Sequence, residues 1–282
     1  MKTPIIKIII VMFAFISMIS CKKDKTPQPT CRITHMEIED ETLTFNYNAD
    51  NKLSQIALRV PDLGNRNHNF AYDGNLLTYT YTLRDPQIHT LNSDGTLNNM
   101  VRNYTISGSP YIDVMNFEYN SNKQLKAVYH VISNSSVAFQ INAKDTLIYS
   151  NGNLSQRLTY TKLSTTSNYP TVPSEEINYT YGTQSNSYGL YTTANLFYTH
   201  DHYIVPFYDG MFPYFTHLLG NGSTNLCTGA VFTDNGRGIT ETIRFLYSNP
   251  TENTMNITKE SLFVGGGGGS ARADISISKA CN

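Results

Sequence analysis

YNADNKLSQI, residues 47–56, sets an aromatic residue, a run of small polar residues, a leucine and an isoleucine in ten positions. Related stretches return at LNSDGTLNNM (91–100) and YNSNKQLKAV (119–128). All three share an apolar first residue, Asn second, Asx two places later, Leu seventh and an apolar tenth residue. YDGNLLTY (72–79) and YSNGNLSQRL (149–158) are shortened versions, and YGTQSNSY (181–188) and YSNPTENTM (247–255) are looser ones. A recurring period of this kind is read before anything else, because it names the building unit.

That unit is a β-hairpin. Leu43, Phe45 and Tyr47 alternate with Thr44 and Asn46, which gives one apolar face at period two. Asn48, Asp50 and Asn51 suit left-handed backbone or Asx turns, as Gly95 and Gly152 do at related positions. Leu53 and Ile56 open the return strand at a spacing of three, which breaks the alternation and predicts a bulge near Leu53.

Composition agrees with strands. Of 282 residues, 40% are hydrophobic and only 15% charged, with 20 Tyr, 13 Phe and no Trp. The aromatic content excludes a disordered chain. A net charge of −1, a pI near 6.6 and the lack of basic clusters argue against a nucleic-acid partner.

The chain opens as an export signal. Lys2 and Lys7 precede IIIVMFAFISMIS, an apolar run too short to span a bilayer. Met18-Ile19-Ser20-Cys21 resembles the bacterial lipobox, with Met18 in place of the usual leucine. The resemblance implies cleavage before Cys21, diacylation of its thiol and acylation of the new amino terminus, palmitate among the acyl chains. Two or more chains at about 0.8 kcal/mol per buried methylene give a stable anchor. Residues 1–20 are then the signal peptide, 21–30 a charged tether and 31–282 one β-repeat domain. Lys22 after the cysteine points, by the lipoprotein sorting pattern, to the outer membrane, on its periplasmic or its cell-surface face.

Three further cysteines remain. Cys31 and Cys281 bracket the domain and could form a disulfide, which export permits. Three buried thiols, with Cys227 the third, are the slightly favoured reading. None sits in a zinc-type spacing.

The Tyr-Asn/Asp-x-Asx-Gly/Asn-Lys-Leu-x-x-Ile pattern resembles the YD repeat of Rhs-type surface proteins, and more closely the uncharacterised YD-repeat-like lipoproteins of Bacteroidetes. PYFTHLLGNGSTNLCTGAVF (213–232) is similar to a Leu-x-Gly-x-x-Ser-x-Asn-Leu stretch late in those lipoproteins, with Cys227 where proline is expected. The resemblance implies an all-β extracytoplasmic domain and no activity.

The expected fold is therefore all-β: consecutive antiparallel hairpins in one large curled sheet, a half-barrel or partly open barrel. Residues 31–205 read as a meander of roughly ten strands. PDLGNRNHN (61–69) and STTSNYPTVPS (164–174) read as exposed loops, and Phe207 to Leu219 as one short helix covering an open end. VGGGGGS (264–270) lacks the Lys-Ser/Thr of a P-loop and reads as a hairpin connection before a final strand.

Chemical candidates are few. His200 and His202 would share a strand face, and Asp209 and His217 could complete a metal site. The competing reading is a polar strand end before Pro206. The acid-rich places are Glu37 to Glu41, Glu175-Glu176 and Asp234; a glycosidase would need two such carboxyls about 5–10 Å apart. Edge-blunting charges explain them equally. There is no nucleophile elbow. The tyrosines could stack on a glycan, but hairpin packing already accounts for their positions. The reading is a non-enzymatic, outer-membrane-anchored binding or structural module without a cofactor. Its partners would be the membrane, through the lipidated end, and a glycan or an envelope protein. The alternatives are a carrier holding an apolar ligand in a concave sheet and, third, a metal-dependent hydrolase using the His200–His217 region.

Overall fold

The computed structural model describes residues 31–281 except 39–40, 62–63, 82–83, 107, 135–138, 163–167, 188–217, 252 and 265–268. Two compact units divide the chain, and the larger, Arg32–Ala280, holds nearly all of the described structure.

Sixteen strands form one closed barrel. In chain order they are β1 (Cys31–Ile38), β2 (Glu41–Tyr47), β3 (Leu53–Val60), β4 (Gly64–Asp73), β5 (Leu76–Tyr81) and β6 (Arg84–Leu91). β7 (Leu97–Ile106), β8 (Ser109–Tyr119), β9 (Leu125–Asn134), β10 (Phe139–Ser150) and β11 (Asn153–Lys162) follow. The circuit ends with β12 (Glu175–Ser185), β13 (Asn225–Asp234), β14 (Ile239–Thr251), β15 (Thr254–Val264) and β16 (Gly269–Cys281). Each strand pairs with its sequence neighbours, and β16 returns to β1. Closure leaves no free edge.

Three expectations are corrected. The sheet is not a half-barrel or partly open barrel: β1 joins β16 and closes the wall. Local hairpin patterning specifies neighbours but says nothing about whether the first and last strands meet. No helix is found among the described residues. Of the expected helix, 207–217 lie outside them, and Leu218 to Gly220 form no α-helix, with Gly220 bridging to Gln124. PDLGNRNHN is also not a loop, because Gly64–Asp73 form β4. Its Asn65, Asn67 and Asn69 stand on the outer face while His68 and Phe70 are buried inside, so a polar strand was mistaken for a connection.

The repeat forms the hairpins as its residues dictate. In three turns the Asn N–H donates to the carbonyl four residues on: Asn48 to Lys52 at 2.9 Å, Asn92 to Thr96 at 2.7 Å and Asn120 to Gln124 at 2.9 Å. Positive φ falls at the same place each time, on Asn51 (61°), Gly95 (85°) and Lys123 (58°). The carboxamide oxygens of Asn48 and Asn120 each accept two further backbone N–H groups. The expected bulge is there too. Tyr47 pairs with Leu53 but Asn46 with Gln55, which leaves Ser54 extra. The same slip leaves out Asn98, Lys126 and Ser155 in the β6–β7, β8–β9 and β10–β11 hairpins. Each bulge turns a leucine inward: Leu53 is 3% exposed, Leu125 1%, and Leu97 and Leu154 0%.

The repeat tyrosines lean inward over the same end. The Tyr47 hydroxyl donates to the Ile33 carbonyl at 2.8 Å, Tyr119 to Leu97 at 2.9 Å, and Tyr247 to Cys227. In each case the acceptor lies on the preceding strand. Burial raises the Tyr119 phenol far above its ordinary value, so it stays a donor.

Candidate functional site

The two faces of the wall have opposite chemistry. Inward positions of every strand feed one apolar cluster, from Met36 and Leu43 through Phe70, Phe117 and Ile177 to Met255 and Ile277. Leu77, Leu97, Leu154, Leu219, Met255 and Ile277 have no exposed surface at all. A water-wide lumen, such as sixteen strands ordinarily leave, would expose them from within. This half of the barrel is filled.

The outer face of β2, β3 and β4 is polar, whereas Ile88, Ile112, Leu246 and Leu262 are exposed apolar residues elsewhere on the wall. Thr42, Thr44 and Asn46 on β2, Gln55 and Arg59 on β3, and Asn65, Asn67 and Asn69 on β4 look outward. Their carboxamides form a ladder across four strands: Asn46 to Gln55 at 3.2 Å, Gln55 to Asn69 at 2.9 Å and Asn69 to Thr80 at 3.4 Å. Gln156, Asn178 and Glu176 repeat it on β11 and β12. A membrane-spanning barrel has the reverse arrangement, with an apolar band outside and a polar interior. The strands that carry the ladders lack that band.

A belt of buried ionisable groups crosses the interior, farther from the Asx turns. Arg102 Nη2 donates to Asp113 Oδ2 at 2.9 Å, and His130 Nε2 meets Asp113 Oδ1. Arg157 donates to both Asp145 oxygens and the Thr159 hydroxyl to Oδ1 at 2.6 Å. Tyr79 lies 2.6 Å from His68 Nδ1, and Tyr81 stacks on the same ring. Burial, then Arg66 for His68 and Arg102 for His89, lowers both imidazoles to about 4 and keeps them neutral. Burial likewise lowers Lys259 to about 8, against the opposing pull of Glu241.

Two of the acid-rich places meet here. Glu175 and Asp234 are cross-strand partners on β12 and β13. Burial raises the Glu175 carboxyl. Burial also acts to raise Asp234, but hydrogen bonds from Arg237 outweigh it and lower the carboxyl. Asp234 accepts from Arg237 Nε at 2.5 Å and Arg237 N at 2.9 Å, so both its oxygens clamp the β13–β14 turn. Asp113 and Asp145 are committed in the same way. These carboxylates hold the wall together.

At the turn end, residues 218–224 form a strap. Leu219 is fully buried, Asn221 N donates to the Lys123 carbonyl at 2.8 Å, and Ser223 accepts from Leu154 N at 3.1 Å. The Leu-x-Gly-x-x-Ser-x-Asn-Leu stretch is thus the piece that ties down the Asx turns of β8–β9 and β10–β11.

The residues singled out from sequence fare unevenly. His200, His202, Asp209 and His217 lie outside the described residues, as does Cys21. Among the described residues no group of three or more His, Cys, Asp or Glu could hold a metal. Cys281 is disulfide-bonded, which corrects the slightly favoured reading of three free thiols, and Cys227 is a free buried thiol. The belt was missed, although a signal existed. In YIDVMNFEY, Asp113 shares its parity with Met115 and Phe117 and so had to face inward.

No family model and no curated protein matches the chain. Solved structures do. A porin-like protein from Bacteroides uniformis aligns over 91% of this chain and 97% of its own, at 14% identity and a TM-score of 0.56. One from Bacteroides vulgatus aligns over 87% and 98%, at 14% identity and 0.51. The chain has the porin-like barrel fold. At this identity the likeness concerns the path of the backbone.

Proposed function

We propose that the protein is a lipid-tethered, non-enzymatic module of the outer membrane that stands in water and acts by contact, as a binding or structural element. The observation that carries this is the polarity of the wall: carboxamide ladders outside β2–β5, and apolar packing within the half of the barrel nearest the Asx turns. Such a barrel needs an anchor to stay at a membrane, and the lipobox at Cys21 supplies one. Arg32 enters the barrel beside the Asx turns, where it donates to Asn51 Oδ1 at 2.6 Å and covers the Tyr47 ring. Tethering there would leave the opposite rim and the outer wall free to meet a partner. The hairpins' resemblance to YD-repeat-like lipoproteins is in keeping with this. The filled interior speaks against an apolar carrier.

The test has two parts. The full chain, expressed in a Gram-negative host, should enter the detergent phase on Triton X-114 partition, and Cys21→Ser should move it to the aqueous phase. Residues 22–282 should stay monodisperse without detergent and add no conductance to a planar bilayer. Detergent dependence of that form, or channel activity, would overturn the reading.

A further inference from the structure

The outer face of β9, β10 and β11 departs from the carboxamide ladders. Tyr129, Lys144 and Tyr160 are successive cross-strand partners, all half-buried. The adjacent row is Val131, Asn142 and Lys162. The connection after β11 brings Tyr169 onto this surface, with Lys162 Nζ 4.5 Å from its ring centroid. Lys144 Nζ stands 5.5 Å from the Tyr129 ring. Burial, and then the neighbouring Tyr129, raises the Tyr169 phenol. Asn142 looks outward yet is 6% exposed, and its Nδ2 has no hydrogen-bond partner.

Three aromatic faces and two ammonium groups therefore converge above the buried Asn142 carboxamide, and neither row contains a carboxylate. Cation–π contact holds the Lys144 head over the Tyr129 ring while leaving ammonium protons for an anion. Tyr129 and Tyr160 are two strand spacings apart, ~9.6 Å, a span suited to a disaccharide. Around the row, Asn116 and Asn99 extend the surface with carboxamides bonded at 2.8 Å. We propose that this platform binds an acidic polysaccharide, its sugar rings on the tyrosines and its carboxylate or sulfate groups on Lys144 and Lys162. The proposal rests on the contact reading above only in needing a wall that faces water. The chain's net charge of −1 disfavours indiscriminate polyanion binding.

Residues 22–282 would be run in native gels containing polygalacturonate, heparin or neutral dextran. Retardation by at least one acidic polymer and not by dextran is expected, weakening as salt rises. Lys144→Gln with Lys162→Gln should weaken binding about tenfold or more, since charge-assisted bonds are lost. Tyr160→Ala should weaken it and Tyr160→Phe should not, with thermal midpoints measured alongside to separate folding from binding. No retardation by either acidic polymer overturns the proposal. So does equal retardation by dextran, or wild-type binding by the folded double lysine variant. A protein that is soluble without detergent but fails here loses only this inference.

Discussion

A β-carbon on Gly220 would sit 2.1 Å from the carbonyl oxygen of Lys123. Gly220 also has φ +77°, and the carbonyl it crowds accepts the N–H of Asn221. Gly220→Ala should therefore cost backbone strain and a displaced strap together, about 2 kcal/mol or more. Gly74, at φ +56° with nothing within 4 Å, is the control. Gly74→Ala should cost only about 1 kcal/mol. Urea midpoints of the two variants check the difference.

The Asn120 carboxamide serves the N–H groups of Asn122 and Gln124 at once. Asn120→Ala should destabilise by about 1–2 kcal/mol, whereas Asn120→Asp keeps the acceptor and should cost less. Thermal unfolding of both would show the order; equal losses would contradict the account of the turn.

Asp113 is 2% exposed and holds both Arg102 and His130. Asp113→Ala strands buried positive charge and should cost about 3–5 kcal/mol. Changing Asp113 and Arg102 together to leucine and methionine should recover much of that loss. The comparison of single and double variants by urea unfolding decides whether the pair or merely the space matters.

Acid should weaken the barrel through His68 and His89. Each folded value, about 4, lies below the ordinary 6.5, so protons favour the unfolded chain. Their contribution is whole above pH 6.5 and is lost progressively as pH falls towards 4. Replacing both by glutamine should flatten the fall of the urea midpoint between pH 7 and pH 4.5, relative to wild type.

The thiols should divide sharply. Burial pushes Cys227 up to about 12, so it should resist a thiol reagent until the barrel unfolds. For Cys281 we propose Cys31 as the partner. The Thr34 hydroxyl donates to the Ser278 carbonyl across the β1–β16 seam, and each of these residues is three positions from its strand's cysteine. Peptide mapping without reductant should recover that linked pair. Reduction should lower stability by up to about 5 kcal/mol in the chain-entropy model.

Much of the wall was legible. The run from Leu43 to Ile56 carries its own strand, turn, bulge and return strand, because each step is decided by neighbours within ten residues. β4 was not, since alternation of Asn with Arg and His lacks the apolar contrast that marks a strand. Closure was not either, because it depends on residues such as Thr34 and Ser278 meeting across the whole chain. The buried belt escaped for a related reason. Arg102 and Asp113 look like surface charges until parity and register place them on one inward face. Of the sequence-nominated chemistry, Glu175 and Asp234 came together, and did so as part of a turn clamp.

The seam between β1 and β16 also governs when the protein can fold. Every other strand pair joins sequence neighbours, but this one joins the first strand of the sheet to its last. Until they meet, the growing sheet carries two unsatisfied borders and an uncovered apolar floor, both prone to stick to other chains. Loss of β16 would therefore reopen the whole wall, whereas a cut in a connection leaves every pairing in place.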